Sequence, residues 1–134
     1  MAEDIDEIRE KKLEELKNEQ SGEDAGTPTE PVTVQGAADL RSATEDHGVV
    51  LADFYADWCG PCQMLEPVVE TIAEETAAAV AKVDVDANQQ LASEYGVRGV
   101  PTMVLFVDGE PVERLVGMQD ESRLRDLITS HTGA

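Results

Sequence analysis

Basic residues are scarce in this chain of 134 residues: 10 lysines and arginines stand against 29 aspartates and glutamates, a formal net charge of -19. Phosphate backbones are bound through clusters of Lys and Arg, so the balance excludes nucleic acid as a partner. It equally disfavours an anionic membrane surface. Long apolar runs are also absent. Without about 20 consecutive apolar residues there is no membrane span, and without an apolar stretch near the N-terminus no export signal is expected, which points to the cytoplasm. Aromatics make up 4% of residues, yet 41% are apolar, enough for one domain with a largely aliphatic core. Histidine is limited to His47 and His131, and cysteine to Cys59 and Cys62. A zinc site wants four ligands, and both histidines lie outside any metal-ligand spacing from the two thiols, so no metal is expected. An acidic, Lys-poor, Ala- and Asp-rich chain suits a high-salt cytoplasm, where screening mutes self-repulsion. An ordinary acidic protein is the alternative.

The chain divides near residue 31. Residues 1–30 carry 11 acids and 4 bases; the remaining 104 carry 18 and 6. The first part is expected to be an acidic extension. Ile5, Ile8, Leu13 and Leu16 could share one face of an amphipathic helix, followed by a flexible Gly-, Ser-, Thr- and Pro-containing linker. Such a segment reads either as a solvated tail or as a docking helix. From residue 31 to 134 a single domain is expected, with helix and strand alternating. "VTVQGAADLRSATEDHG" offers a short strand and a helix, and "VVLADFYA" is an apolar strand interrupted by Asp53. "CQMLEPVVETIAEETAA" is a helix with Pro67 inside, where a kink is expected. "AVAKVDVDA" alternates as a strand, and "QQLASEYG" is a short helix. "TMVLFVDGEPVERLVG" reads as a hairpin turning at Asp108-Gly109, and "DESRLRDLITSH" closes the domain as a helix. This order implies an α/β fold: a central mixed sheet flanked by helices on both faces.

Both cysteines fall in "ADWCGPCQM". A disulfide between them closes a ring of four residues, worth roughly 2 kcal/mol in the chain-entropy model, so a structural staple is poorly placed here. Redox chemistry fits better. Cys59 opens a helix, where its sulfur faces unpaired backbone N–H groups and the positive end of the helix dipole. Both favour thiolate, the nucleophilic form. Cys62, one turn further in, is expected to be more buried and less acidic. Gly60 and Pro61 shape the turn between them, and Pro is tolerated in a first helical turn.

These residues place the chain by resemblance. "VVLADFYADWCGPC", "VDVDAN", "YGVRGVPT", "LFVDGEPV" and Val116-Gly117 resemble the thioredoxin family over about residues 32–132. Thioredoxins are a known case of a CxxC thiol with lowered pKa. The resemblance implies the thioredoxin fold and a protein disulfide reductase cycling a Cys59–Cys62 redox disulfide. It implies no bound cofactor, with electrons from a thioredoxin reductase, disulfide-containing client proteins as partners and a monomeric chain. Residue by residue, it makes Cys59 the attacking nucleophile, exposed beside Trp58, and Cys62 the resolving thiol. Trp58, Gly60 and Pro61 become part of the substrate surface. So do Gly99 and Gly117 at its rim, and Val100-Pro101, whose peptide bond is cis in the family. Asp53 matches the buried acid behind the site, and Lys82 its neighbour.

Asp53 and Lys82 also stand out on chemistry alone. A carboxylate within an apolar strand is costly to bury, and burial raises its pKa toward the range of a useful proton acceptor or donor. Lys82 is the only lysine after residue 17. It reads as the partner that tunes Asp53, or as a surface lysine on an edge position. Trp58 reads as a cap on the active site, or as a core aromatic. Met64 and Leu65 are expected in the core and both histidines in solvent. Gln63 and Tyr55 depart from the family pattern, which commonly has Lys and Trp there. Gln63 withholds a positive charge near Cys59 and, with Asp57, could tune partner choice. Two other functions stay open on this reading: a redox-independent binding module, and an oxidase or isomerase on the same fold. Gly-Pro between the cysteines and the lack of an export signal argue against the latter.

Overall fold

The computed structural model describes residues 27–132. The expected amphipathic helix at the N-terminus lies outside them. Among the described residues, five strands and four helices follow in order: β1 (Val32–Thr33), α1 (Ala37–Asp46), β2 (Val49–Tyr55), α2 (Gly60–Glu75), β3 (Ala79–Asp84), α3 (Gln89–Glu94), β4 (Thr102–Val107), β5 (Glu110–Val116) and α4 (Glu121–Thr132). The sheet order is β1-β3-β2-β4-β5. β3 runs parallel to both β1 and β2, whereas β4 is antiparallel to β2 and β5. The sheet is therefore mixed, and β2 lies at its centre with every residue from Val49 to Phe54 buried.

Alternation along the strands builds two cores, one on each face. Leu51, Val80, Met103 and Leu105 pack with Leu65, Val69 and Ile72 of α2 and with Leu124 and Ile128 of α4. Val50, Ala52, Phe54, Ala81 and Phe106 point the other way, against Leu40 of α1 and Leu91 of α3. Tyr95 fills a gap on that second face, edge-on to Phe106 at 5.6 Å between ring centroids. By the same alternation, Asp53 follows Leu51 and Lys82 follows Val80 on the face that α2 covers.

Two local features follow from sequence chemistry. Asp108 and Gly109 turn the β4–β5 hairpin with φ of 52° and 85°, the left-handed pair that a two-residue hairpin turn requires. Helix α2 runs unbroken through Pro67. Met64 is 69% exposed, in contrast to the expectation that it joins the core. Successive helical residues point about 100° apart, and Leu65 takes the inward position, leaving Met64 to solvent. His131 is likewise not in open solvent: it is half-buried, with Nε2 3.2 Å from Glu113 Oε2.

Candidate active site

The C-terminal end of β2 delivers the chain through Ala56 and Trp58 into the start of α2. Cys59 is the N-cap of α2, and its sulfur accepts a hydrogen bond from the backbone N–H of Cys62 at 3.1 Å. No acidic residue occupies the first turn of α2, so nothing there opposes the positive end of its dipole. Cys59 and Cys62 are joined as a disulfide. Both are only 4% exposed, in contrast to the expected difference between an exposed first and a buried second cysteine. In the oxidised pair each sulfur covers the other, and Ala56, Tyr55, Val85 and Val100 close around them.

The rim is held by hydrogen bonds. Trp58 is 70% exposed and donates from Nε1 to Asp86 Oδ2 at 2.8 Å. It is thus a fixed surface aromatic rather than a core one. Gln63 donates from Nε2 to the carbonyl of Asp57 at 2.9 Å, bracing the loop before the cysteines. The Val100–Pro101 peptide bond is cis. The carbonyl of Pro101 accepts from the Gly117 N–H at 2.8 Å, and Thr102 Oγ1 donates to the carbonyl of Gly99 at 2.7 Å. A Cβ placed on Gly60, Gly99 or Gly117 would meet no atom within 4 Å, so all three front open space. Gly117 additionally has φ of +88°, a conformation suited to glycine. Val116 and Met118, 67% and 46% exposed, extend this side as apolar surface.

Behind the disulfide, Asp53 is 2% exposed and its Oδ1 has no hydrogen-bond partner among the described residues. Burial pushes its pKa from 3.8 up to about 6; the Lys82 ammonium opposes the rise and Glu66 adds to it. Lys82 is the register partner of Asp53 on β3, an interior strand, so it is not an edge lysine. Its ammonium, however, bonds Glu66 Oε2 rather than Asp53. It also sits 4.3 Å from the centroid of the Tyr55 ring. The pKa of Tyr55 is raised, first by burial.

Glu66 and Asp86 were not singled out from the sequence. Glu66 lies four residues past Cys62, hence on the same side of α2 one turn on, a spacing that could have flagged it. Asp86 had no such signal, because its partnership with Trp58 joins two loops. Among the described residues, no group of three or more His, Cys, Asp or Glu side chains could hold a metal ion.

The chain is similar to known proteins over most of its described length. A family model described as "Thioredoxin" matches residues 32–130. A thioredoxin of Bacillus subtilis is 46% identical over 92 residues, covering 67% of this chain and 88% of that protein. One of Chlamydia muridarum is 48% identical over 85 residues, covering 63% and 83%. Among solved structures, a mutant thioredoxin from Halobacterium salinarum is 70% identical with a TM-score of 0.78, covering 80% of this chain and 95% of that one. Fasciola hepatica thioredoxin is 41% identical with a TM-score of 0.69, covering 75% and 99%.

Proposed function

The chain belongs to the thioredoxin family and is a protein-disulfide oxidoreductase working through the Cys59/Cys62 couple, and on that premise we propose a division of labour among its residues. The Cys59 thiolate attacks a client disulfide, forming a mixed disulfide and expelling one client thiolate. Cys62 then gives its proton to the Asp53 carboxylate and attacks the Cys59 sulfur. The Cys59–Cys62 bond forms, the bond to the client breaks, and the second client thiolate leaves. The client gains two electrons and the protein loses two, which leaves the disulfide that joins the cysteines here. Members of this family need no bound cofactor. Electrons return from a thioredoxin reductase, the partner that family membership implies besides disulfide-bearing clients.

The observation that carries the reading is the position of Cys59 at the N-cap of α2, with its sulfur accepting a backbone N–H. Trp58, Gly60 and Pro61 form one side of the client surface. Gly99, Val100, Pro101 and Gly117 form the other, with open space in front of the glycines and apolar side chains beside them. Lys82 tunes Asp53. The thioredoxin relatives and the paired cysteines favour this reductase over a redox-independent scaffold and over an oxidase or isomerase. The protein works as a monomer in the cytoplasm, without nucleic acid or membrane. No helix among the described residues is long and apolar enough to cross a membrane. Its acidity and its 70% identity to a Halobacterium salinarum protein support a high-salt cytoplasm. We read residues 31–134 as the catalytic domain and residues 1–30 as an acidic extension that precedes it in the sequence.

The test is trapping. A Cys62→Ser variant should accumulate clients as mixed disulfides on Cys59, detected as a reducible mass shift in most of the protein. Equal trapping by Cys59→Ser through Cys62 would reverse the assignment.

A further inference from the structure

Lys82 faces two carboxylates and bonds only one. Its Cα is in register with Asp53 on the neighbouring strand, and its charge acts on that carboxylate. Yet the ammonium is drawn to Glu66 Oε2, across from β3 to α2, with the Tyr55 ring also 4.3 Å from it. Asp53 Oδ1 is left buried without a donor. An unpaired buried carboxylate oxygen is costly and calls for an explanation. A lysine released from Glu66 would be drawn to Asp53 instead, since opposite charges in a desolvated site attract strongly.

We propose that Glu66 is a positioning residue for the proton transfer at Asp53: by holding the Lys82 ammonium it keeps Asp53 Oδ1 unpaired and free to accept the Cys62 proton. The inference rests on the reading of Asp53 as proton acceptor. Charged and titratable groups around this cluster come from several elements. They are Tyr55 on β2, Lys82 and Asp84 on β3, Glu66 on α2, Asp57 in the loop and, once the disulfide is reduced, the two thiols. Of the charged side chains, Lys82 and Glu66 act on Asp53, whereas Asp57 and Asp84 act on Tyr55. β4 contributes the uncharged Met103 opposite Asp53. Glu66 has a half-exposed side chain, so replacing it with Gln removes a charge without opening the core.

The experiment uses the full reduced chain and follows the Asp53 carboxyl carbon by NMR across pH. In parallel, single-turnover release of product from the mixed disulfide is followed over the same range. Wild type, Glu66→Gln, Lys82→Met, the double variant and Asp53→Asn are compared. Glu66→Gln should lower the Asp53 midpoint toward the ordinary carboxylate range. The acid limb of the release profile should move with it, and release at pH 7 should slow severalfold, because a weaker base takes the proton less readily. In the Lys82→Met background the same change should move the midpoint less than half as far, since no ammonium remains to be released. Two outcomes overturn the proposal while leaving the role of Asp53 intact. One is a midpoint that moves by less than about 0.2 pH. The other is an equally large movement without Lys82, which would mean that Glu66 acts by its own charge alone. If Asp53→Asn releases product at the wild-type rate at pH 7, the proposal falls together with the reading beneath it.

Discussion

Asp53 carries the sharpest conflict between burial and charge. Its pKa is raised from 3.8 to about 6, so between these values the folded chain binds a proton that the unfolded chain does not. Stability therefore falls as pH rises through that window. Above pH 6 the folded state bears an ionised, partly unpaired carboxylate, at a cost of about 3 kcal/mol from the size of the shift. Asp53→Asn should accordingly stabilise the oxidised protein at pH 7 by about 2–3 kcal/mol. The gain over wild type should shrink toward zero near pH 4, as read from urea midpoints at each pH. The same substitution should slow resolution of the mixed disulfide at pH 7 by up to about 10²-fold, the lower range for loss of a general base. At high pH, where the Cys62 thiol ionises unaided, that defect should close. A stability gain independent of pH would mean that the carboxylate is not strained by burial. At this scale the acid itself was legible in the sequence, because a lone Asp in an apolar strand breaks the pattern. Its surroundings were less so: the sequence pairs Lys82 with Asp53, but the ammonium is bonded to Glu66.

Among the elements, α2 and the β4–β5 hairpin show how local chemistry sets the frame. Helix α2 starts where Cys59 caps it and Pro61 occupies its first turn. Its inner residues Leu65, Val69 and Ile72 recur at helical spacing and are all fully buried, so both the element and its inward face were readable. Met64 was misread because proximity to Leu65 in sequence says little about direction on a helix. The hairpin depends on two left-handed residues, and Gly109 has φ of 85°. A Cβ there would meet only the Thr44 carbonyl oxygen, at 4.0 Å. Space therefore permits Gly109→Ala and the backbone conformation opposes it. The substitution should destabilise the fold by about 1–2 kcal/mol and leave resolution of a mixed disulfide unchanged at pH 7. An unaltered urea midpoint would show that the turn relaxes into another conformation.

For the whole molecule, charge is the governing quantity. With 29 acids against 10 bases, the ion pairs among the described residues, such as those of Arg125 with Glu75 and Glu121, offset little of the repulsion. Exposed pairs are worth about 0–1 kcal/mol each and weaken in salt, while repulsion summed over the surface weakens as well. Repulsion dominates at this net charge. Because the screening length drops from about 10 Å at 0.1 M to about 3 Å at 1 M, the melting temperature should rise by at least about 4 °C over that range of KCl, the equivalent of ~1 kcal/mol in a domain of this size. A flat or falling melting temperature would remove the high-salt reading.

The sequence by itself determined the order of strands and helices, the Asp108-Gly109 turn, the placement of both cysteines at a helix start, and the family. The elements, the turn and the helix start rest on interactions between residues close in the chain, where periodicity, capping and turn preference act; the family rests on the resemblance of motifs along the chain. Only the tertiary structure decided which side chains meet across elements. It brought Asp86 to Trp58 Nε1, left both cysteines equally covered, and gave Lys82 to Glu66 while leaving Asp53 Oδ1 without a hydrogen-bond partner. The reason is physical. Strand register set Lys82 beside Asp53, but the packing of α2 over β3 determined where a long, flexible ammonium finds its carboxylate. Contacts of that kind join residues far apart in the chain, and no local pattern encodes them.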